Sequence, residues 1–197
     1  MLRKNLGLFI FLGVLVILIG YGCNGYNGLV TSDQGIKKVW GNVETQYQRR
    51  TDLYSSVIKT IEGSANFEKT TLKEVMEARA SATQVKVDIN DPQSLAKYQA
   101  AQGQLQSAFG RLMAVAEAYP NLKTTESFQD FQKQIEGTEN RIGVSRKDYN
   151  EVVESYNLQV KTFPKNILAN LFGFKEKVYY QANPGSEKTP EIKFDIK

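Results

Sequence analysis

The sequence predicts an all-α protein: an N-terminal transmembrane helix, then an antiparallel four-helix bundle with long first and fourth helices, and a short C-terminal helix. Three observations carry this. Leu6 to Gly22 is a run of 17 residues without a charge. Four later segments place apolar residues three and four apart, the spacing that a helix gathers onto one stripe. The connections between those segments are short, which favours antiparallel neighbours closing around one core. The organisation read from this is an anchor over residues 1–23, a helical bundle over 24–174 and an extended or mobile tail over 175–197.

The anchor follows directly on Arg3-Lys4. As a helix its apolar run spans roughly 25 Å, close to the short limit for crossing a bilayer. A core helix of a soluble protein would carry a polar face, and this run has none. Gly20-Tyr21-Gly22 before Cys23 also resembles a signal-peptide or lipoprotein junction, in which Cys23 would be acylated and the domain held by acyl chains. Both readings put the domain at a membrane surface. The cations nearest the run on its other side are Lys37 and Lys38, so the positive-inside rule favours an exported bundle domain.

The first bundle helix reads Ile36, Val39, Val43, Tyr47, Leu53 or Tyr54, Val57 and Ile61, with Gly63 as its stop. The second begins at Thr71, where Thr71-Leu72-Lys73-Glu74 fits a capping box, and continues through Val75, Ala78, Ala82 and Val85. The third opens at Asp91-Pro92, a cap residue followed by proline at the first helical position. Its heptad of Leu95, Tyr98, Gln102, Leu105, Phe109, Leu112, Ala116 and Tyr119 ends at Pro120, and such regularity favours coiled-coil-like packing. The fourth starts near Thr125 and carries Phe128, Phe131, Ile135, Thr138, Ile142, Ser145, Tyr149, Val152 and Tyr156 over about 35 residues, roughly 50 Å. Asn166 to Phe172 then forms a brief apolar helix stopped by Gly173.

Composition narrows the function. Hydrophobic residues make up 41% of the 197, enough for one sizeable core. Of the net charge of +4, Arg3 and Lys4 supply two, and the remaining +2 is too dispersed for a nucleic-acid surface. The chain has no histidine, which removes the commonest general base and transition-metal ligand together. With one cysteine there is no intrachain disulfide. Walker A, dinucleotide, EF-hand and zinc-ligand spacings are also missing from the sequence, so no catalytic residue, cofactor or metal site is expected.

Polar residues stand where a plain core would put Leu or Ile: Arg50, Gln102, Thr138 and Ser145. Arg49, Asp52, Arg79, Glu139, Arg141 and Arg146 flank the stripes. A buried guanidinium needs a carboxylate, and Glu139 or Glu136 is the natural partner for Arg50. The candidate polar cluster is therefore Arg49, Arg50, Asp52, Arg79, Glu136, Glu139 and Arg146. One reading of it is an interhelical ion-pair network that fixes register. The other is a site for an anion or peptide carboxylate, with arginines as bidentate donors. Trp40 and the tyrosines are expected in core and interface packing, with Tyr21, Tyr26 and Trp40 also able to form an interfacial belt.

In order along the chain stand Tyr26-Asn27-Gly28-Leu29-Val30, Val39-Trp40, Gln48-Arg49-Arg50-Thr51-Asp52-Leu53, Ala78-Arg79, Asn121-Leu122-Lys123, Glu136-Gly137-Thr138-Glu139-Asn140-Arg141-Ile142, Tyr149-Asn150, Tyr156-Asn157, Phe163-Pro164 and Phe172-Gly173-Phe174. Each fragment alone is weak; in this order and spacing the chain resembles the LemA family over nearly its whole length after the anchor. The resemblance implies a bacterial single-span membrane protein with a helical-bundle domain, related to a magnetosome-membrane protein and without an established activity. It also admits a cytoplasm-facing bundle, opposite to the charge-based expectation. The family's Ile-Pro-Asn run is replaced here by Tyr54-Ser55-Ser56, so a proline kink in the first helix is not expected. The function expected is a non-enzymatic, membrane-tethered module that binds another protein or itself, an interaction unit or scaffold of the envelope. The alternative is a small-ligand or peptide-carboxylate receptor, or an enzyme, using the Arg/Glu cluster.

Overall fold

The computed structural model describes residues 2–62, 68–120 and 125–181. They form five α-helices: α1 Leu2–Glu62, α2 Lys69–Gln84, α3 Pro92–Ala116, α4 Glu126–Lys161 and α5 Lys165–Phe172. No strand occurs among the described residues. The expected stop at Gly63, the Asn121-Leu122-Lys123 fragment and the tail beyond 181 lie outside them.

α1 differs from expectation in one respect. The apolar run and the first bundle stripe, read as separate segments, belong to one helix of 61 residues. The stretch between them contains Gly25, Gly28 and Gly35 with Asn24 and Asn27, all weak helix formers. Tertiary contacts override that propensity: Leu29 and Ile36 are fully buried, and the side chain of Leu168 packs where a Cβ on Gly25 would stand. Along the apolar run the side chains from Leu8 to Ile19 are exposed, and the helix is long and apolar enough to cross a membrane.

The chain packs as two units. The first combines the described parts of residues 1–46 and 141–179, the second those of 47–140 and 180–197. α1 and α4 contribute to both. In the first unit Ser32 meets Gln159 and Trp40 meets Tyr149, so α1 and α4 run in opposite directions there. Its interior holds Leu29, Ile36, Trp40, Val43, Ile142, Tyr149, Val153 and Tyr156. Val153, rather than the expected Val152, is the fully buried position. Trp40 is buried against Tyr149, ring centroids 5.2 Å apart, which removes it from any interfacial belt.

The second unit is built on a hairpin of α2 and α3. Glu74 near the start of α2 pairs with Arg111 late in α3, and the Lys86 carbonyl accepts from Ser94 at the other end, so the two helices run antiparallel. Asp91 caps α3 as its chemistry predicts, accepting from the amides of Gln93 and Ser94 with Pro92 at the first helical position. The capping box at Thr71 is not formed. α2 begins earlier, its N-cap is Glu68 without a side-chain bond, and Thr71 turns into the core. That core gathers Tyr54, Val57 and Ile61 of α1, Leu72 and Val75 of α2, Leu105, Phe109 and Leu112 of α3 and Phe128 of α4. Tyr54, not Leu53, takes the stripe position, its ring stacked on Phe109 at 3.6 Å.

Candidate functional site

Among the described residues of the second unit Arg50 is the most deeply buried charge, 1% exposed. α1 places it one turn from Tyr47 and one turn from Tyr54, whose ring centroids lie 4.8 and 5.8 Å from its guanidinium carbon. Nη2 donates to Gln102 of α3 twice, to the amide Oε1 at 2.6 Å and to the main-chain carbonyl at 3.2 Å. Nη1 donates to Glu139 Oε1 of α4 at 3.3 Å, and the Tyr54 hydroxyl donates to the same oxygen at 3.4 Å. Nε is buried without an acceptor.

This arrangement is how a charge survives in a core. Desolvating a guanidinium is expensive unless its donors find acceptors. Here they find one carboxylate, one amide oxygen, one carbonyl and two aromatic faces. Glu139 is 28% exposed and keeps part of its hydration. Burial pushes the Tyr54 hydroxyl well above its ordinary range; the neighbouring Arg50 charge opposes this, and Glu139 adds to it. Tyr54 is therefore a neutral donor at physiological pH. The cluster ties α1, α3 and α4 together.

Of the sequence-predicted cluster, the structure brings Arg50 and Glu139 together. Arg49, Asp52, Arg79 and Glu136 are exposed, and Asp52 accepts from Gln48 on its own helix at 2.9 Å. Arg146 is half-buried and belongs to the first unit. The other polar stripe residues bond locally: Thr138 to the Gln134 carbonyl and Ser145 to that of Arg141. Such bonds to the preceding turn let a hydroxyl sit in an apolar stripe. Cys23 is exposed on α1. A groove of about 600 Å³ between α2 and α3 is lined by Ala78, Ser81, Gly103 and Ser107, with the Glu74–Arg111 pair at its rim. No group of three His, Cys, Asp or Glu that could hold a metal occurs among the described residues.

The first unit contains a polar site that sequence reasoning missed. Asn157, buried on α4, donates to the Lys177 carbonyl at 2.9 Å and accepts from the Lys177 amide at 2.8 Å. It thus satisfies both backbone groups of one residue in a segment that has no regular partner. Tyr149 donates to the Val178 carbonyl at 3.0 Å. The Lys177 ammonium reaches Asp33 of α1 at 2.7 Å and lies 5.6 Å from the Tyr156 ring centroid, while Lys37 approaches Asp33 at 3.1 Å. Burial works to raise the Asp33 carboxyl, but bonds from Lys177 and Lys37 outweigh it and hold the group below the ordinary range. Burial pushes Tyr149 and Tyr156 up to about 12, Asp33 adding to the effect at Tyr156. The sequence signal was the repeated Tyr-Asn pair seven residues apart. It marked a helix face but could not name the segment that the face would hold.

The family model described as LemA family matches residues 39–194. The chain is 27% identical over 189 residues to magnetosome protein MamQ 2 of Paramagnetospirillum magneticum, covering 85% of this chain and 68% of that protein. It is 23% identical over 189 residues to magnetosome protein MamQ of Magnetospirillum gryphiswaldense, covering 85% and 70%. It is 25% identical over 179 residues to protein LemA of Metamycoplasma hominis, covering 89% and 79%.

Proposed function

The chain belongs to the LemA family, and from that premise we propose that it is a non-enzymatic, membrane-tethered helical module that binds another protein, or a second copy of itself, as a scaffold of the bacterial envelope. Leu6 to Gly22 crosses the bilayer once, and the remaining helices close as an antiparallel four-helix bundle outside the cytoplasm. The observation that carries this reading is the change of environment along one helix. From Leu8 to Ile19 α1 exposes its apolar side chains all round, whereas from Leu29 to Ile61 the same helix buries a single stripe. A continuous helix through Cys23 favours a retained helical anchor over a cleaved, acylated terminus. The names of the relatives point to the magnetosome for some and assign no reaction to any.

The Arg50 cluster is read as a register lock. Its donors are directed at Gln102, Glu139 and two tyrosine rings, which favours an internal tie over a receptor for a carboxylate. The interaction role is tested by crosslinking and pull-down of the full chain from detergent-solubilised membranes. Reproducible recovery of one protein, or of a dimer, is expected. Recovery of neither would count against an interaction module.

A further inference from the structure

Three large apolar side chains around α5 face outward, Phe163 79% exposed, Leu171 72% and Ile167 57%, and Phe172, 54% exposed, borders them. The opposite side of this short helix is seated in the first unit, with Ala169 fully buried and Leu168 against Gly25. Phe172 and Phe174 meet Tyr26 edge-on, at 4.8 and 5.8 Å between ring centroids. α5 is therefore docked on α1 at the level of residues 25–28, directly beyond the apolar run from Leu6 to Gly22.

We propose that the outward face of α5 lies in the membrane interface, its side chains at the boundary between phospholipid headgroups and acyl chains. This rests on the reading of Leu6 to Gly22 as the membrane anchor. Gly25 is three residues past that run, roughly 5 Å along the helix axis, while the headgroup layer on one side of a bilayer is of about the same thickness. A helix docked at Gly25 is therefore held at headgroup depth. The apolar run is itself short, roughly 25 Å against a hydrocarbon core of about 30 Å, a mismatch that draws the attached domain toward the surface. An amphipathic helix with Phe, Ile and Leu on one face suits that depth, and Tyr21 and Tyr26 supply the aromatic residues that favour the same layer. Lipid is preferred over a second copy of the chain as occupant because the face continues the surface that the bilayer already covers.

The test uses the full chain in vesicles of phosphatidylcholine and phosphatidylglycerol, a fraction of the lipid being brominated near the carboxyl end of one acyl chain. Trp40, the only tryptophan, is buried and provides the reference. Leu171→Trp and Ile167→Trp report on α5. Val144→Trp reports on an exposed α4 site about 25 Å from the end of that helix. The α5 reporters are expected to lose most of their added emission in brominated vesicles, while Val144→Trp and the parent retain theirs. If the chain floats with the vesicles and resists carbonate but the α5 reporters are quenched no more than Val144→Trp, α5 is not at the interface although the anchor stands. If α5 emission shifts to the blue with rising protein concentration in detergent and is not quenched in vesicles, a second copy covers the face and the proposal falls. If the chain does not float, the anchor reading fails and this inference fails with it.

Discussion

Arg50 and Gln102 are joined twice across two helices, through the glutamine side-chain oxygen at 2.6 Å and its main-chain carbonyl at 3.2 Å. A glutamine in the α3 heptad and an arginine in the α1 stripe would each be a fault in an apolar core. Placed opposite one another, Nη2 of Arg50 and the two oxygens of Gln102 answer each other. Such a pair sets register, because a shift of one turn along either helix would leave both groups buried and unbonded.

Arg50→Ala is expected to destabilise by about 2–4 kcal/mol, since it opens a cavity and leaves the Gln102 oxygen buried without a donor. Arg50→Met should cost less, because it fills the space and Glu139 can rehydrate, and adding Gln102→Leu should recover part of the loss. Denaturant titration of Arg50→Met, Gln102→Leu and the double variant, with Arg50→Ala alongside, checks this. Simple additivity would show that the two residues do not act together.

Leu105→Ala and Ile142→Ala should each cost about 2–5 kcal/mol, one in the core of each unit, both positions being almost completely buried. Val144→Ala, exposed on the same helix as Ile142, should stay within about 0.5 kcal/mol. Chemical denaturation of the three variants separates the core stripe from the solvent face.

The segment that Asn157 holds should loosen in acid. The Asp33 carboxyl is depressed in the folded state, so its ion pairs with Lys177 and Lys37 contribute stability above the ordinary carboxylate range, and that contribution is lost as pH falls through the lower folded value. At the alkaline end Tyr149 and Tyr156, raised to about 12, contribute stability that is lost as pH climbs from about 10 toward 12. Amide exchange at Lys177 across the acid range, and tyrosinate absorbance across the alkaline range, read the two limbs. Asn157→Leu should abolish protection of the Lys177 amide at every pH, and Asp33→Asn should remove the acid limb.

How much of this was legible depends on whether the chemistry is local. Asp91-Pro92 and Gly173 announce a helix start and a helix stop because cap and φ preferences act within a few residues. The need of Arg50 for an acceptor was legible as well, since a charge in an apolar stripe must be answered. Glu139 answers it, while Gln102 supplies the shorter bond, and the sequence could not weigh an amide oxygen on another helix against a carboxylate. The helical state of residues 24–35 was hidden by their glycines and asparagines, because burial of Leu29 and Ile36 decides it. The hold of Asn157 on Lys177 joins residues 20 apart across a chain reversal. No periodicity encodes that.

The orientation proposed for the bundle domain rests on the charge flanking the apolar run. With Arg3 and Lys4 on one side and no cation on the other before Lys37, a reporter fused after Lys197 that works only outside the cytoplasm should be active. Activity of a cytoplasm-only reporter would reverse the assignment. Labelled palmitate should not be incorporated in a manner that depends on Cys23. Incorporation lost in Cys23→Ser would replace the helical anchor by a lipid.

The most direct measurement is carbonate extraction of membranes from cells expressing the full chain, alongside a variant with Leu12→Arg and Leu15→Arg in the exposed apolar stretch of α1. A central arginine costs about 2.5–3.5 kcal/mol on insertion scales, so two should abolish spanning while leaving the bundle residues untouched. The parent chain is expected to stay in the membrane pellet through high salt and carbonate, and the double variant to appear in the supernatant. A parent chain released by carbonate, or a double variant retained as firmly as the parent, would contradict a helix-anchored module.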